Sequence, residues 1–299
     1  MQRNERFDRA DRIIKIGFWI NALLMIFKMA AGHWGHSDAV FADGIESACD
    51  FVAIFSTMVA LKLGRKPFDE KHPYGHGRAE SLSALLVSLV ILATGAWILS
   101  DSIHSIIDRK FQSPGMLAVA AAFLTILIKE WLYRFTQKTG AELASPSLLA
   151  VAKDHRKDAI TSISTLAGVS GAFFGFGIMD PLAAGLTAFF ILHIGFQTFR
   201  EAAHDLMDGS APPDFIEEVT RLAESVERVE HVHDIRGRRS GQYMVIDLKL
   251  EMDPSMTVKE SHDIATKVKK LIFDGFPNVG DVMIHINPHD EEHEDLIRL

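Results

Sequence analysis

The sequence predicts a membrane α-helical bundle of about six transmembrane helices joined to an α/β domain of ferredoxin-like type. Three observations lead there. Apolar runs of spanning length crowd residues 1–212 and are missing from 213–299. Charge divides at the same place: the first part holds 20 Lys and Arg against 20 Asp and Glu, while the second holds 11 against 19 and carries the whole formal −8. The tail also exchanges long apolar runs for short amphipathic helices and strict alternation. Two domains that prefer different solvents follow, 1–208 in the bilayer and 209–299 in water.

A hydrocarbon core of about 30 Å needs roughly 20 mainly apolar helical residues. The expected spans are 13–34, 39–62, 80–107, 115–136, 148–175 and 181–203. The third, "ESLSALLVSLVILATGAWILSDSIHSII", is the most apolar; the second and fifth are interrupted by acids. The N-terminus is charged (Arg3, Arg6, Arg9, Arg12), but the run from Ile13 is long and lacks a small-residue cleavage site. It is therefore expected to be a membrane helix and not a cleaved signal. The single cysteine, Cys49, excludes an intramolecular disulfide framework and a Cys-rich metal site.

Lys and Arg gather before span 1, between spans 2 and 3 (Lys62, Arg65, Lys66, Lys71, Arg78) and between spans 4 and 5 (Arg134, Lys138). The opposite connections "GHWGHSD" and "GFGIMDP" have none. The positive-inside rule then places both termini, and the acidic tail, in the cytoplasm of a multi-pass integral membrane protein. In span 4, Lys129 and Glu130 are expected to form an interfacial, snorkelling pair. Small residues in "STLAGVSGAFFGFG" are expected to allow close helix contact.

In the tail, "PDFIEEVTRLAESVE" has helical periodicity and "VEHVHDIRGRR" is strand-like. "YMVIDLKLEM" alternates Met244, Ile246, Leu248, Leu250 and Met252, which gives a strand with one buried face. "TVKESHDIATKVKKLIF" is a helix with Thr257 as N-cap and Glu260 completing a capping box. "DVMIHINP" closes with Val282, Ile284 and Ile286 alternating. Helix–strand–strand–helix–strand is the order of a ferredoxin-like sheet with helices on one face.

The stretch "DGIESACD" then stands out, because it places Asp43, Glu46 and Asp50 inside span 2. Glu46 and Asp50 are four apart and share a helix face; Asp43 lies a turn earlier. Span 5 repeats the spacing in "KDHRKDAITS" with Asp154 and Asp158. A lipid-facing Asp costs about 2.5–3.5 kcal/mol on insertion scales, so these side chains should point into the bundle. Two carboxylate pairs on two helices can enclose one divalent cation. Without it, burial and like charge favour protons on the same oxygens. A site that holds either metal or protons suits a proton-coupled metal carrier. Asp43, nearer the helix end, reads as well as a cap or an interfacial partner of a Lys or Arg as it does as a member of the site.

With "GHSDAVFADGIESACD", "KPFDEKHPYGHGRAESL", "DHRKDAITS", "GIMDP" and "LMDGS" in order, nearly the whole chain resembles the cation diffusion facilitator family of divalent-metal/proton antiporters. The resemblance implies a homodimer with six membrane helices and a cytoplasmic ferredoxin-like domain. It also implies a transport site at Glu46, Asp50, Asp154 and Asp158. Zinc-transporting relatives commonly carry His at the position of Asp154 and Asp at that of Glu46; here His155 is one residue off register, about 100° around the helix. Oxygen ligands favour Mn²⁺ or Fe²⁺, with Zn²⁺ close behind.

Asp69, His72 and His76 match a second metal position of some relatives, or belong to a structural loop docked on the tail. His233, His262 and His285 fall where similar proteins place cytoplasmic regulatory ligands, but Lys249 and Asn287 replace further zinc ligands. A single-metal site at the dimer interface, with His285 and Asp247 or His262, stays open. His289 and His293 read as solvated.

The function expected is export of a divalent metal cation in exchange for protons. Its partners are metal ions, protons, the lipid bilayer and a second copy of the chain; neither enzymatic activity nor a nucleic-acid partner is expected. Two competing classes remain. One is a non-transporting metal sensor or scaffold. The other is a Mg²⁺-dependent membrane prenyltransferase, which needs basic residues converging on pyrophosphate; only Lys153, Arg156 and Lys157 adjoin an acidic motif.

Overall fold

The computed structural model describes residues 3–143 and 145–289. Six long helices come first: α1 (Arg3–Trp34), α2 (Asp38–Gly64), α3 (Ala79–Ile107), α4 (Met116–Glu142), α5 (Pro146–Phe173) and α6 (Met179–Leu206). The tail follows as α7 (Pro213–Glu224), β1 (His231–Ser240), β2 (Tyr243–Met252), α8 (Val258–Gly275) and β3 (Val279–Pro288). Among the described residues, five helices are long and apolar enough to cross a membrane: α1 from Arg12, α2, α3, α4 and α6. The sixth, α5, is as long, but the charges of "KDHRKD" lower its apolar character.

These helices expose apolar side chains and bury polar ones among an aliphatic core. Trp19, Leu23, Phe55, Leu86, Trp97, Phe123, Trp131 and Phe189 are exposed, whereas Lys28, Asp43, Ser88, Thr125, Lys129, His155, Thr165 and Asp180 are buried. Water would oppose that distribution; hydrocarbon favours it, because in lipid polar groups must find partners within the protein.

The chain divides into two compact units, Met1–Ser56 with Leu86–Thr198 and Thr57–Leu85 with Phe199–Leu299. In the first, small residues set the helix contacts. A Cβ on Gly32 would meet the Phe41 backbone nitrogen at 2.5 Å, and one on Gly44 the Met29 nitrogen at 2.8 Å, so α1 and α2 cross backbone to backbone. Gly168 of α5 does the same against α6, where a Cβ would lie 2.9 Å from the Met179 carbonyl oxygen, as "STLAGVSGAFFGFG" leads one to expect. Buried Asp180 of "GIMDP" holds the start of α2: its carboxylate accepts from Ser37 Oγ and the Asp38 amide, each at 2.6 Å. An acceptor at a helix N-terminus satisfies amides that have no partner within the helix.

In the second unit, β1 and β2 pair antiparallel, and β2 and β3 pair parallel with α8 as the crossover, giving the order β1-β2-β3. Met244, Ile246, Leu248, Leu250 and Met252 are all buried, as the alternation predicts, against Val219 and Ala223 of α7 and Ile264, Val268 and Ile272 of α8. Thr257 caps α8 in the expected capping box with Glu260. The loop after α2 docks on the β1–β2 turn: a Cβ on Gly77 would sit 2.6 Å from the Ser240 carbonyl oxygen, and Gly241 turns there with φ +62°. Arg78 and Arg238 converge on Asp208, Arg238 at 3.6 Å, which ties the start of α3 and the end of α6 to β1.

Candidate metal centre

The acids of α2 have distinct surroundings. Asp43 is buried and its Oδ1 accepts from Lys28 Nζ at 2.9 Å. The same ammonium donates to the Asp43 carbonyl oxygen at 3.0 Å and to Ser47 Oγ at 2.7 Å. This was one of the two readings of Asp43: it is the partner of a cation. The α1–α2 crossing through Gly32 and Gly44 brings Lys28 there. A lone lysine within "LLMIFKMAAG" was the signal, since a charge inside a span needs a partner.

One turn on, Glu46 is half-buried and Asp50 exposed. Each lies within electrostatic reach of Asp158 on α5. Asp154, one turn earlier on α5, is exposed, and Asp158 is partly buried. The quartet therefore lies on two helices, with three of its members sharing an electrostatic neighbourhood. Its ligand atoms are not drawn within 4.8 Å of one another; among the described residues Asp69, His72 and His76 are the group that meets that distance.

Asp158 Oδ2 accepts from Lys129 Nζ at 2.6 Å. This corrects the expectation for Lys129. It is buried and turned toward α5, while Glu130 pairs with Arg134 at 2.6 Å along the surface of α4. Sequence spacing favoured Glu130 by adjacency, but consecutive helical residues point about 100° apart. Beside the pair, His155 is buried, and among the described residues both its ring nitrogens lack a hydrogen-bond partner, as does the buried Asn21 Oδ1 on α1.

The loop cluster is held by local hydrogen bonds. Asp69 Oδ1 accepts from the His72 amide at 2.7 Å and the Lys71 amide at 3.0 Å, and lies 3.1 Å from His72 Nδ1; Oδ2 lies 3.5 Å from His76 Nε2. Those bonds, the His72 amide first, hold the Asp69 carboxyl below its ordinary range, so it stays an anionic acceptor. Gly75, with φ +81°, permits the turn that returns His76 toward Asp69.

The tail candidates are dispersed. His285 of β3 is beside Lys249 of β2 in the parallel register, on the sheet face opposite the helices. Asp247 faces the same way and takes Arg238 Nη1 at 3.3 Å, while Lys249 lies 3.6 Å from Asp234. His262 is exposed on α8, which covers the other face. His233 Nδ1 is 2.9 Å from Glu251 Oε1, and His289 Nδ1 is 2.8 Å from Oε2. His289 is exposed, as expected of a solvated ring, and also has a carboxylate neighbour, because it continues the pairing of β3 with β2. His293 lies outside the described residues.

Comparison with known proteins agrees with this picture. Residues 14–207 match the family described as cation efflux transmembrane domain, and residues 211–289 that described as cation efflux protein, cytoplasmic domain. The chain is similar to the manganese efflux system protein MneP of Bacillus subtilis (strain 168), 33% identical over 296 residues that cover 97% of this chain and 99% of MneP. It is similar to the magnetosome protein MamB of Magnetospirillum gryphiswaldense, 30% identical over 94% of this chain and 95% of MamB. A solved MamM CTD variant in a manganese form matches 25% of this chain and 95% of its own at 23% identity, with a TM-score of 0.25. The chain belongs to the cation diffusion facilitator, or cation efflux, family, and is a multi-pass membrane transporter of metal cations.

Proposed function

We propose that this protein exports a divalent metal cation, Mn²⁺ or Fe²⁺ ahead of Zn²⁺, from the cytoplasm in exchange for protons. The observation that carries the reading is the placement of Glu46 and Asp50 on α2 within reach of the charge of Asp158 on α5, with Asp154 a turn away. Metal entering from the cytoplasmic side displaces protons from these carboxylates. The bundle then exchanges access to the other face, where protons return and metal leaves. An all-oxygen quartet supports the harder ions, and the likeness to a manganese efflux protein points the same way. Arg156, one of the three bases a prenyltransferase would need on pyrophosphate, is engaged by Tyr133 at 2.8 Å.

In this reading residues 1–208 form the transport domain, and residues 209–299 form a cytoplasmic dimerisation domain, with both termini cytoplasmic. Asp69, His72 and His76 form a second metal site, supported by ligand atoms within 4.8 Å of one another. His285 and Asp247 hold a regulatory ion only where a second copy supplies the remaining ligands, since His262 and His233 lie apart from them in one chain. Proteoliposomes test the transport claim. Mn²⁺ flux driven by a pH gradient is expected, falling at least about tenfold in Asp50→Ala with Asp158→Ala. Flux indifferent to the pH gradient rejects antiport, and unchanged flux in the double variant rejects the site.

A further inference from the structure

The acid cluster contains a cation that the transport reading does not use. Lys129 is 5% exposed, and among the described residues its side-chain hydrogen bond is to Asp158. The neighbours on its own face of α4 leave it little choice. Thr125 and Leu132 are buried beside it; the Thr125 hydroxyl donates to the Ala121 carbonyl at 2.9 Å, and the hydrogen bond Lys129 makes is to Asp158. Glu130 is engaged elsewhere by Arg134. The charge of Lys129 also reaches Asp50 of α2 and His155 of α5.

Lys28 makes an instructive contrast. Its ammonium is gripped by the Asp43 carboxylate, the Asp43 carbonyl and Ser47, three acceptors that fully employ its donors. None of those acceptors belongs to the candidate quartet, so its hydrogen bonds are a structural lock, although its charge also reaches Glu46 and Asp50. Lys129 has one hydrogen-bonded carboxylate, and that carboxylate is a candidate metal ligand. A buried ammonium persists only where an anion offsets its lost hydration, yet a single bond leaves it displaceable.

We infer that Lys129 is a tethered counter-cation of the transport site: it occupies Asp158 when metal is absent, and a divalent ion binds by displacing its ammonium. This deepens the transport reading and rests on it. A tethered single charge outcompetes free monovalent ions for Asp158, because it pays no entropy of association. An ion of twice the charge that gathers several carboxylates at once displaces it. When metal leaves, the ammonium returns to Asp158, so release does not strand a bare carboxylate in the bundle. Lys129 is thus a positioning residue that trades affinity for release and selects against monovalent ions.

Titration of Mn²⁺ into purified full-length protein, with flux measured in proteoliposomes, tests this. Lys129→Gln is expected to bind Mn²⁺ tighter by about tenfold or more, since a repelling charge is removed, and to show lower maximal flux because release slows. Lys129→Arg, which keeps the charge, should retain wild-type affinity. A merely structural lysine would give a less stable protein with unchanged or weaker binding. Unchanged or weaker Mn²⁺ affinity in folded Lys129→Gln overturns the inference. Should that variant not fold, a Mn²⁺-bound structure of the wild type decides: separation of Lys129 Nζ from Asp158 is expected, and a retained hydrogen bond overturns the inference. Asp158→Asn separates the two levels. Loss of binding there with Lys129→Gln unaffected rejects the lysine's role alone; unchanged binding rejects the transport site itself.

Discussion

At the scale of single residues, the bundle is organised by who neutralises whom. Lys28 and Asp43 are 2% and 4% exposed and joined at 2.9 Å. Removing one partner of a buried pair leaves a charge that neither water nor protein solvates, at a cost of about 3–5 kcal/mol. Lys28→Ala should therefore lower the thermal midpoint of the detergent-solubilised protein sharply, whereas Lys28→Met with Asp43→Leu should recover most of the loss. A double variant no better than the single one would refute the neutralisation argument. Both cations, Lys28 and Lys129, were legible as lysines inside apolar runs, but their partners were not. Asp43 is 15 residues from Lys28 and Asp158 is 29 from Lys129. Only the mutual rotation of packed helices decides which acid a given lysine meets.

At the scale of elements, small residues decide how closely the helices approach. A Cβ on Gly168 would meet the Met179 carbonyl at 2.9 Å, and the Ala183 side chain is closer still. Gly168→Leu must push α5 from α6, destabilising the fold by about 1–3 kcal/mol. Because α5 carries Asp154 and Asp158, Mn²⁺ affinity should weaken as well; a wild-type melting curve and affinity would contradict that geometry. In the α/β domain, Glu251 of β2 lies against both His289, the residue after β3, and His233 of β1. The hydrogen bond from His289, then that from His233, holds its carboxyl below the ordinary 4.5. A depressed carboxyl contributes stability that is present above its unfolded value and lost as pH falls through the lowered one. The clip should hold from neutral pH down to about 4.5 and fail below it. Glu251→Gln should destabilise the domain at pH 7 by about 1–3 kcal/mol for the lost charge-assisted bonds, lower its melting temperature accordingly, and flatten the acid limb of the profile. An unchanged limb would place the acid sensitivity elsewhere.

At the scale of the whole molecule, one chain carries two kinds of surface suited to two environments. Its helices bury lysines and carboxylates and expose phenylalanine and tryptophan, while its α/β domain buries an aliphatic sheet face and exposes charge. The open face of that sheet carries Asp247, Lys249 and His285 in register but, among the described residues, lacks a complete set of metal ligands within one chain. A regulatory ion there would report assembly of two copies as well as metal supply. The proteoliposome assays test the chain at this scale, by whether the acids of α2 and α5 act as one site.

The amino-acid sequence alone determined the six long helices, the α/β order of the tail, the alternating buried face of β2, the capping box of α8 and the paired acids of α2 and α5. Each of these is a local property: hydrophobic period, spacing and capping chemistry act over a few residues. Only the tertiary structure decided that Lys129 turns from Glu130 to Asp158, that Lys28 locks Asp43, that Asp69, His72 and His76 converge, and that His289 returns to Glu251. Partner choice among buried charges depends on helix rotation and crossing distance. Those follow from glycine-scale contacts between segments far apart in the chain, and no local pattern records them.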